Sequence, residues 1–447
     1  MIRSIAILLA ASVAATLPAS ANARSLALIR DAEIERTIRT YTTPMFSSIG
    51  VKQNSVRVHI VNDSRINAFV AGGRYIFINT GLLMYAKDAC MVIGVLAHEM
   101  GHIVGQHLTR LRGAISESQI KQIIAFILAA STGVATRDGQ AAGAIASLGG
   151  NIVRGTLYRY TRGMEAEADE FALTTLDRMG VSARGLASLM QHLMSQEALL
   201  PSMQDPYMRT HPLSRSRLER IKRHMKTSRF TSQPTPVRYR KLHRRMRAKL
   251  FGFLKPPASV LARYGPNNRS LEARYAIAVA YHRGSRLNDA LATIDDLIRE
   301  EPRDPFFHEL KGQILLESGR AQQAIKSYSA AIRLAPSEAL IRGAYAHALL
   351  QTGDRSKVPT ALRHLITVTV NDKTFPTGWR LRAIAHGHLK QIGESAAALA
   401  EYYLLLGDLA EARRQIRRAE RLLPAGSPSW QRVQDMKSAR LDSKGRR

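Results

Sequence analysis

The apolar positions change period several times along the 447-residue chain, and each change marks an element. From Asp31 to Tyr41 they recur at helical spacing, whereas from Val56 to Ile60 they alternate as in a strand. Arg74 to Ile78 reads as a second short strand. With the Ala71-Gly72-Gly73 turn before it, the pair is expected to form a sheet edge, to which a peptide could add through main-chain hydrogen bonds. The pattern from Asp88 to Arg110 is helical, with Asp88 as the cap and Val92, Val95, Leu96, Ile103 and Leu108 at its apolar positions. Helices are also expected from Met164 to Met179, ended by Gly180, from Ala183 to Gln196, and after His211-Pro212. Leu242, Met246 and Leu250, spaced by four, put an apolar stripe on one more helix.

Beyond Leu271 the chain turns to Ala-rich helical pairs with an internal period: Gly284, Gly319 and Gly353 are 35 and 34 residues apart, and Pro302 and Pro336 repeat the 34. Gly312, Leu315, Gly319, Ala324, Tyr328, Ala331 and Pro336 resemble the tetratricopeptide pattern, and Gly407, Ala412 and Pro424 keep its spacing in a late copy. The stretch from Val358 to Ile392 leaves the register, so about four repeats are expected. The fold class that follows is mostly α with a small β element: an α+β unit followed by an α-solenoid. Such arrays bind partners on a concave face, the plainer reading being a stabilising helical domain.

Composition changes this picture in three places. Arg3, the apolar stretch from Ile5 to Leu17 and the Ala21-Asn22-Ala23 site have the build of a cleavable export leader, too short for the ~20 residues that span a bilayer. The apolar stretches from Ile123 to Ala135 and from Ala141 to Leu148 also fall short, and read as a packed hairpin or as a loop dipping into a membrane surface. Cys90 is alone, which excludes an internal disulfide. The formal charge is +30, and from Arg220 to Leu271 there are 15 Lys and Arg without one Asp or Glu. That run reads either as a solvated face or as attraction to an anionic membrane surface or acidic protein; nucleic acid is not expected for an exported chain. The expected plan is a leader over 1–23, a chemistry-bearing unit over 24–224, a basic linker helix region over 225–270, repeats over 271–430 and a disordered tail over 431–447.

The chemistry lies in His98-Glu99-Met100-Gly101-His102. Two imidazoles four residues apart stand about 40° apart around a helix and can grip one Zn²⁺ ion. Glu99 projects beside them, where it can take a proton from water and later deliver it to a leaving amine. A third ligand is needed. The metzincin position holds Leu108, and on a continuing helix His107 would lie about 140° from His102. The better candidate is Glu165, on a helix where it shares a face with Asp169 while Glu167 points elsewhere. Asp169 could accept the free N–H of a ligating histidine and so fix its tautomer.

The HEMGH helix, Asn67-Ala68-Phe69, Thr80-Gly81-Leu82-Leu83, Glu165-Ala166-Glu167-Ala168-Asp169 and Thr210-His211-Pro212 together resemble the gluzincin family of HtpX and CAAX prenyl proteases, over roughly Asp31 to His224. The export leader and the repeats resemble its periplasmic branch concerned with β-barrel assembly. The resemblance implies a zinc endopeptidase with Glu165 as third ligand, acting on unfolded or misassembled outer-membrane proteins, its repeats docking the assembly machinery. The competing class is a periplasmic chaperone or adaptor that keeps the metal site mainly as structure. His211, in a loop stiffened by Pro212, is read as stabilising an oxyanion, as a latency switch displacing the catalytic water, or simply as a turn residue. Arg217 is read as holding an acidic neighbour or the substrate carbonyl.

Overall fold

The computed structural model describes residues 28–50, 55–110, 162–197, 199, 203–265 and 267–441. The leader read over 1–23 and the apolar stretches at 123–135 and 141–148 lie outside them. Helix α1 (Ala32–Ser48) starts at Asp31, whose carboxylate accepts from the Ile34 amide at 2.9 Å. It runs past the expected end because Met45 and Phe46 continue the buried face of Ile34, Ile38 and Tyr41.

Strands β1 (Leu28–Ile29), β2 (Arg57–Val61), β3 (Ala68–Ala71) and β4 (Tyr75–Asn79) form one sheet in the order β1-β2-β4-β3. β2 and β4 are parallel, with Ile60 opposite Ile78, while β1 and β3 run antiparallel to their neighbours. This corrects the expected sheet edge: the two strands visible in the sequence are central, and β3 is the edge beside β4. All four residues of β3 are buried, so it shows no alternation. Ile60, Val70, Ile76 and Ile78 enter the main core, and on the opposite face Phe69 stacks on Phe77 with centroids 5.0 Å apart.

After α2 (Thr80–Tyr85), helix α3 (Ala89–Val104) is buried nearly all round and crosses the centre of this core. The single helix expected to Arg110 is in fact broken at Gly105–Gln106, where Gln106 adopts φ 52°, and α4 (His107–Arg110) sets off afresh. Helix α5 (Arg162–Met179) packs so closely on α3 that a Cβ at Gly101 would lie 2.8 Å from the Ala168 Cα. That approach brings the acidic face of α5 to the HEMGH turn. Helices α6 (Arg184–Met194), α7 (Pro206–Thr210) and α8 (Arg215–Thr227) complete this layer.

Helix α9 (Val237–Leu254) buries Met246 and Leu250 as the stripe requires, and α10 (Pro257–Tyr264) follows. The basic run is not uniformly outward. Lys249, 2% exposed, places Nζ 2.8 Å from Asp31, 3.3 Å from Glu33 and 3.8 Å from Glu309. Arg245 reaches Glu33 at 2.5 Å and forks onto Asp304, and the Tyr275 hydroxyl donates to Glu33 at 2.6 Å. These contacts tie α1 to the repeats, as do Arg39 with Glu338 at 2.7 Å and Arg30 with Asp372 at 2.8 Å.

From Leu271 the described chain runs as five successive helix pairs, ending with Leu409–Leu422 and Pro428–Leu441. The out-of-register stretch keeps the pairing, its shift absorbed by a short 3-10 turn at Arg355–Lys357. The last helix corrects the disordered tail as far as residue 441: Val433 and Met436 are buried against Ala412 and Ile416. Two apolar anchors three apart suffice, though the composition is polar. No helix among the described residues is long and apolar enough to cross a membrane.

Candidate metal centre

Three segments converge on one buried point. α3 supplies His98, Glu99 and His102, α5 supplies Glu165 and Asp169, and the turn after α7 supplies His211; all six side chains are buried. His98 Nε2 is 3.1 Å from His102 Nε2 and 3.4 Å from Glu165 Oε2, and His102 Nε2 is 3.4 Å from Glu165 Oε1. Donors on a tetrahedral zinc, each about 2.0–2.1 Å from the ion, stand about 3.3 Å from one another. The spacing therefore fits that ion. His211 joins the group with Nδ1 3.3 Å from His98 Nε2 and 3.1 Å from Glu165 Oε1, so that four donors lie within 4.8 Å of one another.

Glu99 stands apart from this set. Neither carboxylate oxygen accepts a hydrogen bond among the described residues, and Oε1 is 3.3 Å from His211 Nε2. Burial raises its pKa, partly offset by His211 and His98. A buried and easily protonated carboxylate beside the donor set is the residue type that relays a proton.

The surroundings hold each donor in place. Asp169 Oδ1 lies 3.0 Å from His98 Nδ1. Arg217 forks onto Asp169 at 2.7 and 2.8 Å, and its Nη1 is 2.5 Å from Glu165 Oε2 and donates to the Pro212 carbonyl at 2.9 Å. So Arg217 holds the acidic pair, and through Pro212 the His211 turn. Tyr207 stacks on the His211 ring at 4.3 Å. Burial would lower the His98 pKa, but Asp169 and Glu165 outweigh it and push it up to about 9. The Glu165 carboxyl is held well below its usual range by His211, His102 and His98 despite its burial.

Sequence reasoning missed two members. His107 Nδ1 is 2.9 Å from His102 Nδ1, and His107 Nε2 is 3.0 Å from Glu167 Oε2. His107 is not among the four clustered donors, as expected, but the break at Gly105–Gln106 swings its ring back over the preceding turn, where a continuous helix would have carried it away from His102. The usable signal was the glycine itself: a Cβ at Gly105 would lie 2.3 Å from His107 Nε2.

Residues 29–225 match the model of peptidase family M48, and residues 307–338 match a tetratricopeptide repeat. Over the first of these spans the chain resembles an M48 metallopeptidase. The M48 domain is a zinc metalloendopeptidase, and the cluster of three histidines and one glutamate suits one zinc ion. The chain is 25% identical to the β-barrel assembly-enhancing protease of Escherichia coli K12, over 87% of this chain and 79% of that one. It is 26% identical to the protein of that name from Yersinia pestis, with the same coverage of both chains. The metalloprotease YcaL of E. coli is 28% identical over 37% of this chain and 60% of its own length.

Proposed function

We propose that the chain is a periplasmic zinc endopeptidase that cleaves unfolded or misassembled outer-membrane β-barrel proteins. The observation that carries the reading is the buried Glu99 carboxylate, which accepts no hydrogen bond among the described residues, beside a zinc-spaced set of donors, with relatives named for β-barrel assembly across most of the chain. His98, His102 and Glu165 hold the ion, and Asp169, clamped by Arg217, orients His98. Zinc held there would lower the pKa of a coordinated water to about 7 and polarise the scissile carbonyl. Glu99 takes the water proton and returns it to the leaving amine. A peptidase unit over 24–224 is joined through 225–270 to a repeat unit over 271–430 that holds the client or the assembly machinery.

Purified protein incubated with an unfolded outer-membrane β-barrel should cut it and spare the folded form. A zinc chelator should stop the cutting and added zinc restore it, as read by gel. Cutting that persists after the metal has been stripped would rule the reading out.

His211 closes the donor set and faces Glu99, which favours the latency switch over the other roles. With its ring seated there, four donors would surround the ion, where a catalytic site would need one place kept for a water. His211→Ala is therefore expected to raise basal cleavage of the unfolded client. An oxyanion-stabilising role predicts the opposite, a fall of about 10²–10³ in kcat.

A further inference from the structure

We infer that His107 and Glu167 form a relay that positions His102, a carboxylate and a second imidazole in series behind the metal-facing ring. The inference rests on the reading of His102 as a ligand and goes on to assign its support. His102 Nε2 faces the other donors, 3.1 Å from His98 Nε2 and 3.4 Å from Glu165 Oε1. To offer a lone pair there it must be bare, which puts the ring proton on Nδ1. That proton points at His107 Nδ1, 2.9 Å away, which must then accept. The proton of His107 consequently sits on Nε2, 3.0 Å from Glu167 Oε2. Each tautomer fixes the next, so an anionic carboxylate at one end orients His102 and raises its basicity at the other.

The backbone is shaped for this. On an uninterrupted helix the fifth residue after His102 would lie about 140° away. Instead the helix stops at Gly105, Gln106 adopts φ 52°, and the His107 ring fills the space a Gly105 side chain would occupy. The two α3 imidazoles are thus held differently. His98 meets a fully buried carboxylate directly, at 3.0 Å. His102 reaches its carboxylate through a second ring, and that carboxylate is 53% exposed. One support is sealed, and the other leads to the surface.

The test measures metal binding rather than turnover. Zinc affinity of the full chain is read by competition with a chromophoric chelator, and ligand geometry by the visible spectrum of the cobalt(II) form. His107→Leu removes the acceptor and should weaken zinc binding about 10–100-fold and shift the cobalt bands. His107→Gln, which returns a carbonyl acceptor, should recover most of both. Glu167→Ala, at the exposed end, should shift the cobalt spectrum without lowering the unfolding midpoint of the metal-free protein, and it carries the test should His107→Leu fail to fold. Equal losses in the Leu and Gln variants, or an unchanged cobalt spectrum in Glu167→Ala, would overturn the relay while leaving the metal site intact. His102→Ala separates the two levels, since undiminished zinc binding in that variant would sink the ligand assignment itself.

Discussion

Glu99→Gln is expected to lower cleavage of an unfolded β-barrel protein by about 10²–10⁴-fold while zinc content stays near that of the parent chain. The exchange keeps shape and volume and removes only the ability to take and return a proton. Glu99 is not among the four clustered donors, so metal retention should not depend on it. Peptide release measured by chromatography, beside metal analysis of the same preparation, reads both halves. Loss of zinc together with activity would make Glu99 structural. Retained cleavage would remove it from the mechanism. A variant that cuts nothing yet still supports β-barrel assembly in cells would move the working surface to the repeats, as the chaperone or adaptor reading requires.

Lys249→Ala is expected to destabilise the protein by about 3–5 kcal/mol, because it strands charges whose partner is gone. Asp31 and Glu33 lie 2.8 and 3.3 Å from the Lys249 ammonium, and Glu33 is as buried as the lysine. Urea unfolding followed by circular dichroism measures the loss. The double variant Lys249→Met, Glu33→Gln should recover much of it, since the destabilisation arises from uncompensated charge. No recovery would mean that packing around the lysine stem carries the effect. Burial pushes the Glu309 carboxyl up to about 8 even beside Lys249. From its ordinary range up to that point the native state holds a proton that the unfolded state has lost, so this residue's contribution to stability falls as pH rises through that window.

How much of this was legible depends on the range of the interaction. The HEMGH spacing and the shared face of Glu165 and Asp169 follow from helical period alone, and the structure brings these residues to one point. The turn chemistry of His211-Pro212 hinted at approach, though not at the 3.1 Å contact with Glu165. Strand β3 was silent because a strand buried on both faces has no alternation. His107 was misplaced because one left-handed residue, Gln106, redirects everything after it. The inward turn of Lys249 and Arg245 could not be seen at all, since their acidic partners sit in α1 and the repeats, up to 218 residues away in sequence. A charge run shows sign, and burial is decided by what folds over it.

Helix α1 belongs to two cores at once: Ile34, Ile38 and Tyr41 face the peptidase, while Ala32 packs with Phe306 and Ile341 and Arg30 pairs with Asp372 across 342 residues. The first helix made is therefore completed only by chain made near the end. Contacts of such span close late in folding. During synthesis, the enzyme would have its catalytic turn long before it has the brace that fixes this helix, and a molecule truncated within the repeats should emerge with that helix adrift and little proteolytic capacity.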